Sequence, residues 1–493
     1  MSDSPKTNQW QTLDKDLNRI SQLESATAYV SRPLVAPGIA LAFIALTIIT
    51  AAIFFDATSS NFVVIAAAGF GAYMAINIGA NDVANNMGPA VGANALTLGS
   101  AIVIAAFFES AGALIAGGDV VSTISKGIID PASFTDTKVF IWAMMAALIS
   151  SALWVNLATF VGAPVSTTHS VVGGVMGAGI AAAGFSVVNW PTMGTIAASW
   201  VISPVLGGAI AAACLAFIKA KIIYQDDKIA AARKWVPVLM GVMAAAFSAY
   251  LSLKGLKKII EIDIGMALLI GAGIGAVVYV VSAPLIKRQS EGLENRNKSL
   301  KALFAAPLVI SAAMLSFAHG ANDVANAVGP LAAIVHAAEF GDFSSKVEIP
   351  LWVMVIGALG ISFGLVLFGP KLIRMVGSQI TKLNPMRAYC VALSAAVTVI
   401  IASWLGLPVS STHIAIGGIF GVGFYREWST ERRLAKSRET RAPEKRIAVE
   451  ERRRRKLVRR SHFMTIIAAW VITVPAAAIM SAGIFYFLNF VIG

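Results

Sequence analysis

The chain has 493 residues, of which 57% are hydrophobic and 13% charged, and it carries a formal net charge of +13. Soluble globular chains carry roughly 25% charged and about 45–50% apolar residues, so this one lacks the polar surface to cover a water-soluble fold. Nor is the positive charge a nucleic-acid footprint. Fifteen basic and six acidic residues between Arg426 and His462 supply +9 of it, without the aromatic or glycine interleaving of a nucleic-acid binder.

Residues 1–33 are polar and nearly charge-balanced, unlike a signal peptide, and are expected to form a cytosolic tail with an amphipathic stretch through Leu13, Leu17, Ile20 and Leu23. An apolar run over 34–55 follows, long enough to cross a bilayer, which takes about 17–25 residues of helix. Residues 77–89 then read N-I-G-A-N-D-V-A-N-N-M-G-P, and residues 164–174 read P-V-S-T-T-H-S-V-V-G-G. Both words return. Residues 318–330 read A-H-G-A-N-D-V-A-N-A-V-G-P, and 408–418 read P-V-S-S-T-H-I-A-I-G-G. The displacements are 241 and 244 positions, and a weaker match of 198–202 with 468–472 is displaced by 270 because the basic segment is inserted in the second copy only. Two words recurring in the same order at nearly equal spacing mark a duplication.

The expected organisation is therefore a tail (1–33), an extra helix (34–55), a first transmembrane repeat (61–219), a linker with two transmembrane helices (220–302) and a second repeat (303–490) carrying the basic loop 426–462. Three hydrophobic helices, over 192–219, 235–253 and 262–286, separate the end of the first P-V-S word from the second copy. If both copies cross equally often, they face the bilayer in opposite directions. The basic loop is assigned to the cytoplasm and to anionic lipid headgroups. The net-basic connections near Lys219–Lys234 and Lys287–Lys301 then share that side, while the link Lys254–Glu261, with three lysines, violates the rule locally. The fold class is all-α, a polytopic membrane protein of two inverted-topology repeats with broken helices or hairpins and about 11–13 membrane segments.

Inverted repeats place a transported substrate near the midplane, between broken helices. The first word puts Asn81 and Asp82, and in its second copy Asn322 and Asp323, inside apolar sequence; Gly88-Pro89 and Gly329-Pro330 are expected to stop the helices there. An intramembrane carboxylate costs several kcal/mol at least, on the order of insertion measurements, and helix packing has no need of it. Two at matching positions point to a cation site or a proton relay. The bland alternative is an Asn-Asp helix cap. In the second word, Ser166, Thr167, Thr168 and His169, with counterparts Ser410, Ser411, Thr412 and His413, follow Pro164 and Pro408. That is a helix N-terminus pattern, and free N–H groups plus hydroxyls suit a tetrahedral oxyanion. The bland alternative here is a Ser/Thr cap in a hairpin. No lysine or arginine lies in either word, so a co-transported cation is expected to supply positive charge. Phosphate retains O–H groups that can donate to a carboxylate, whereas sulfate does not. On this reading Asp82, Asn85, Asp323 and Asn326 bind the cation, a proton or Na⁺, with Asp82 and Asp323 as the metal ligands if it is Na⁺, while Asn81, Asn322 and the two hydroxyl clusters hold phosphate.

The paired G-A-N-D-V-A-N and P-V-S-[ST]-T-H words resemble those of the inorganic phosphate transporter (PiT) family, from about residue 61 to the end of the chain. The segments 107–110 and 123–130 are similar to that family's first repeat. The resemblance implies phosphate uptake by cation-coupled symport and alternating access. It implies Asp82 and Asp323 as essential residues, Ser166–Thr168 and Ser410–Thr412 as phosphate ligands, and Glu109 as a coupling residue. It also implies a plasma-membrane location, the inner membrane in a bacterium. Na⁺ is favoured over H⁺ as the co-transported ion; no cofactor is expected, and a homodimer is admitted. Two departures bear on coupling: animal members carry acidic residues where Met144 and Ala392 stand here, and the helix over 34–55 has no counterpart in the simplest members.

The remaining histidines receive bland readings. His169 and His413 fit hairpin geometry. His319 stands where the first copy has Ile78, so symmetry gives it no shared role. Glu109 also lacks an acidic twin, since Ile361 stands near the matching place. Cys214 and Cys390 have no metal or redox spacing and are expected to be core residues. The alternatives are a carrier of another oxyanion such as sulfate, a carrier of metal–phosphate complexes, a channel, and, least favoured, an enzyme, because no nucleophile-and-base arrangement is present.

Overall fold

The structure is a computed structural model, and it describes residues 34–55, 59–134, 136–161, 165–256, 260–341, 349–375, 383–438 and 460–491. The tail 1–33, Pro164 and most of the basic loop lie outside the described residues. The described residues form helices throughout, with one isolated antiparallel bridge between Ile129 and Val188. Eleven helical segments are long and apolar enough to cross a membrane.

The first repeat comprises α2 (Ser59–Asn81), α3 (Val83–Gly92), α4 (Leu98–Ala116), the short α5 (Gly118–Ser122) with a π turn over Thr123–Gly127, α6 (Thr137–Val161), α7 (Thr167–Ala183) and α8 (Trp190–Ile218). Ahead of it lies α1 (Leu34–Phe54). The linker holds α9 (Lys228–Lys254) and α10 (Ile264–Gln289), with the single turn α11 (Leu300–Leu303) leading on. The second repeat comprises α12 (Ala305–Asp323), α13 (Ala325–Phe340), α14 (Leu351–Met375), α15 (Pro385–Trp404), α16 (Ser411–Arg438) and α17 (Arg460–Val491).

Packing follows the duplication. Helix α2 lies on α14 and α4 on α12; α7 lies on α17 and α16 on α8. Each repeat thus completes the other. The closest approaches recur at equivalent positions: a Cβ on Gly79 would strike the backbone carbonyl of Ile361, and one on Gly320 would strike that of Glu109. Only glycine lets two helix backbones approach this far.

The same contacts fix the orientation of the copies. Gly173 and Gly177 of α7 meet Val474 and Ala478 of α17, so these helices run the same way; Gly417 and Gly421 of α16 meet Pro204 and Gly208 of α8, again in parallel. Trp200 of α8 packs on His169 of α7 with ring centroids 3.8 Å apart. His169 begins α7 and Trp200 lies a third of the way along α8, so α8 doubles back along α7. Helix α16, parallel to α8, is then antiparallel to its own counterpart α7. The repeats are inverted.

Equivalent residues meet across the dyad that relates them. Ser110 Oγ lies 2.7 Å from Ser362 Oγ, and the rings of His169 and His413 lie 4.7 Å apart. Helix α1 lies outside the sequence repeat, yet it has a structural counterpart. It covers α2 and α14 through Ala40 and Phe43, as α9 covers α12 and α4 through Phe247 and Tyr250.

One expectation about the helix breaks is corrected. Gly88-Pro89 and Gly329-Pro330 do not stop their helices; α3 and α13 run through them. The interruption is a single residue earlier in each word, at Asp82 and at Val324. At Asp82 the backbone stays right-handed (φ −87°, ψ −32°), and Asn85 N donates to Asp82 O at 3.0 Å, a tightened turn rather than an unwound one. The prolines still matter, because a proline nitrogen cannot donate to the carbonyl four residues back. The carbonyls so deprived are those of Asn85 and Asn326.

Candidate functional site

The two words of each repeat meet at the dyad. Serines open the hydroxyl-bearing helices: Ser166 Oγ accepts from His169 N at 3.2 Å, and Ser410 Oγ from His413 N at 3.3 Å. With the first-turn donors partly satisfied by these caps, the next hydroxyls are free to reach inward. Thr167 Oγ1 donates to Asp82 Oδ2 at 2.7 Å and Thr412 Oγ1 to Asp82 Oδ1 at 3.0 Å, so hydroxyls from both repeats hold one carboxylate. Asn85 Nδ2 donates to Thr412 Oγ1 at 2.8 Å; its counterpart Asn326 Nδ2 reaches Thr167 and Thr168 Oγ1, each at 3.2 Å. Ser411 Oγ points at Asp323 Oδ2 from 3.4 Å, a long contact. All of these side chains are buried except Asn85, which is half-buried.

Not every residue singled out in the sequence faces this centre. Asn81 and Asn322 turn to flanking helices, donating to Thr159 Oγ1 at 2.8 Å and Ser403 Oγ at 3.0 Å. Ser166 and Ser410 serve as caps. Met144 and Ala392 lie fully buried in the apolar core, and Cys390 is buried there too, with Cys214 packed at its edge.

Sequence reasoning missed His319. It lies between two carboxylates, with Nδ1 2.6 Å from Glu109 Oε2 and Nε2 2.8 Å from Asp323 Oδ2. Asn86 Nδ2 donates to the other oxygen of Glu109 at 2.9 Å. The chain Asn86–Glu109–His319–Asp323 is buried throughout and breaks the dyad, since the equivalents of Asn86, Glu109 and His319 are Ala327, Ile361 and Ile78. A signal for half of it was present. His319 precedes Asp323 by four residues, which on a helix puts both on one face. The contact with Glu109 crosses 210 positions and needed the fold.

One atom each of Asp82, His319 and Asp323 come within 4.8 Å of one another. Asp323 Oδ1 and Asn326 Oδ1, both buried, have no hydrogen-bond partner. Buried oxygen acceptors are normally satisfied. Orphaned carboxylate and amide oxygens beside the freed carbonyl of Asn326 suit a hard cation, which takes oxygen ligands.

A membrane-embedded polar cage at the interface of two inverted repeats, with two carboxylates and two helix starts, defines a polytopic transporter. The chain belongs to the phosphate transporter family, whose model matches residues 78–481. Two relatives carry the name "Putative phosphate permease": one from Helicobacter pylori strain J99, 44% identical, covering 97% of this chain and 99% of that protein, and one from Pyrococcus abyssi, 36% identical, covering 85% and 96%. A solved structure described as "The sodium-dependent phosphate transporter" superposes with a TM-score of 0.78 at 33% identity, covering 87% of this chain and all of that one. The protein is a multi-pass membrane protein of the plasma or inner membrane that transports phosphate, and its family is one of transporters rather than enzymes.

Proposed function

We propose that the chain takes up inorganic phosphate by cation-coupled symport and alternating access. The observation that carries this reading is the convergence of Thr167 and Thr412, one from each inverted helix start, on the two oxygens of Asp82. Phosphate is held between the N-termini of α7 and α16, where helix dipoles and the hydroxyls of Ser166, Thr167, Thr168, Ser410, Ser411 and Thr412 offer donors without a fixed cationic side chain. The cation binds among Asp82, Asp323, Asn85 and Asn326, with Glu109 as coupling residue acting through His319. The orphaned Asp323 Oδ1 and Asn326 Oδ1 support an oxygen-coordinated ion, and the sodium dependence named for the solved structural relative favours Na⁺.

Thr167 and Thr412 both spend their hydroxyls on Asp82, which ties the proposed anion donors to the proposed cation ligand. A cation on the carboxylates releases the hydroxyls to the anion and offsets its charge. The basic segment Arg426–His462 is proposed to rest on anionic headgroups of the cytoplasmic leaflet, and a homodimer is compatible with the outward apolar faces of the linker helices.

Counterflow of labelled phosphate into proteoliposomes tests the reading. Uptake is expected with Na⁺ present on both sides and is expected to fail when only a pH gradient is imposed. Equal competition by sulfate would overturn the substrate, and uptake indifferent to Na⁺ would overturn the ion.

A further inference from the structure

Helix α16 leads from the site to the face where the basic segment starts at Arg426, the cytoplasmic one by the positive-inside rule. Arg387, in the first turn of α15, comes to the same end, its backbone N–H donating to the Asn384 cap at 3.0 Å. Helices α15 and α16 pack on each other and on α8, and both arginines are half-buried. The guanidinium of Arg426 repels that of Arg387, and no carboxylate among the described residues pairs with either. A third cation stands beside them. Lys219 opens the π turn Lys219–Ile223 at the end of α8; its Nζ donates to Ser429 Oγ and lies 4.9 Å from the centre of the Tyr425 ring. Tyr425 and Ser429 flank Arg426 on one turn of α16.

The acidic residues of α16 do not answer this charge. Glu427 follows Arg426, but one residue turns a helix by about 100°, and its buried Oε1 has no hydrogen-bond partner. Glu431, a turn further on, is exposed and forms no ion pair among the described residues. Other basic residues of this face are better placed: Lys221 and Lys234 lie over the Trp235 ring, and Arg432 over that of Trp428. Among the described residues, Arg387 and Arg426 have neither a ring nor an acid. Two like charges side by side and half out of water repel with little screening. What the pair lacks is an anion.

We propose that Arg387 and Arg426, with Lys219 beside them, bind a phosphate group at the cytoplasmic face. Each guanidinium presents paired N–H groups that match phosphate oxygens two at a time, and one bound anion relieves the repulsion. The group is supplied by the headgroup of an anionic phospholipid or by free phosphate, which share this chemistry. Tyr425 and Trp428, on the same stretch of α16, are rings of the kind that sit at headgroup level. Arg426 is fifteen residues beyond Ser411, about 22 Å along the helix axis, so this site is distinct from the central cage and stands whether or not uptake is cation-coupled.

The test is the thermal unfolding midpoint of delipidated protein in a neutral maltoside detergent, read with added phosphatidylglycerol, phosphatidylcholine or inorganic phosphate. Phosphatidylglycerol is expected to raise the wild-type midpoint, and phosphatidylcholine to leave it. Arg387→Gln and Arg426→Gln should each raise the amount of phosphatidylglycerol needed for half the shift by about tenfold, as for loss of a charge-assisted hydrogen bond. Arg432→Gln removes the same charge elsewhere on α16 and should change that amount by less than about twofold. Without added ligand, neither Arg387→Gln nor Arg426→Gln should unfold below wild type, because each removes a repulsion. The central cage is intact in every variant, so its own response to phosphate cancels in the comparison. A shift with phosphatidylglycerol alone assigns the headgroup; a shift with inorganic phosphate that the two variants lose assigns the free anion. No shift with either ligand, an undiminished response in the two variants, or an equal loss in Arg432→Gln would overturn the site. So would a lower ligand-free midpoint in both variants, which would make the arginines structural.

Discussion

Asp82 and Asp323 occupy the same place in two copies of one word, yet the fold gives them different company. Asp82 is held by neutral hydroxyls drawn from both repeats. Asp323 has one long hydroxyl contact and an imidazole, which is itself shared with Glu109. Symmetry supplies the cage and asymmetry supplies its polarity. Around Asp82 lie groups that can be exchanged for a ligand without uncovering a charge. Around Asp323 lies a built-in partner, so displacing it exposes two carboxylates at once.

The largest effect is expected from removing either charge. Asp82→Asn and Asp323→Asn should each lower phosphate uptake roughly a hundredfold or more, since loss of one partner from a buried charged arrangement costs about 2–5 kcal/mol. Monodisperse elution in detergent would show that the fold persists. Uptake at the wild-type rate in either variant would remove the central site.

Next is His319→Ile, which gives the second copy the residue of the first at Ile78. Two buried carboxylates would then lack their shared partner, and a loss of about 3–5 kcal/mol in stability is expected, read as a lower thermal unfolding midpoint. Adding Glu109→Gln should recover much of the stability but not transport. If the single variant unfolds like the wild type, the buried chain is not a coupled unit.

Smaller and more nearly symmetric effects are expected from the amides. Asn326→Ala removes donors to Thr167 and Thr168, and Asn85→Ala removes one to Thr412. Each should weaken apparent phosphate affinity by about fivefold, in line with about 1 kcal/mol per hydrogen bond. Asn326→Ala should be the costlier, because it also deletes an orphaned oxygen, and its effect on Na⁺ activation should exceed that of Asn85→Ala. The smallest effect is expected at Ser110→Ala or Ser362→Ala. These hydroxyls meet on the dyad, but each also lies near a helix carbonyl, so uptake should stay within about twofold of wild type.

Much of this site was legible in the sequence because a duplication prints its equivalences directly. Asp82, Asp323 and the hydroxyl clusters stood out as polar words in apolar surroundings, and Pro204 and Val474, the residues that Gly417 and Gly173 meet, stand 270 positions apart, the displacement of the last helix. The position of the helix interruption was not legible. A Gly-Pro pair reads as a stop, but both prolines follow an interruption by only a few residues, so each costs one backbone bond and the helix survives it. His319 was discounted because symmetry was used as the test of function, and the structure shows a buried charged contact where symmetry fails.

By itself, then, the sequence determined the class of fold, the duplication and the chemical inventory of the cage, because hydropathy and repeated words are local properties of the chain. Tertiary structure alone decided which copies of those words touch, and that Glu109 and His319 find each other across 210 positions. Those outcomes depend on how two inverted bundles cross, which backbone approach at glycine sets, and on a few hydrogen bonds between residues far apart in the chain. No one-dimensional pattern records either.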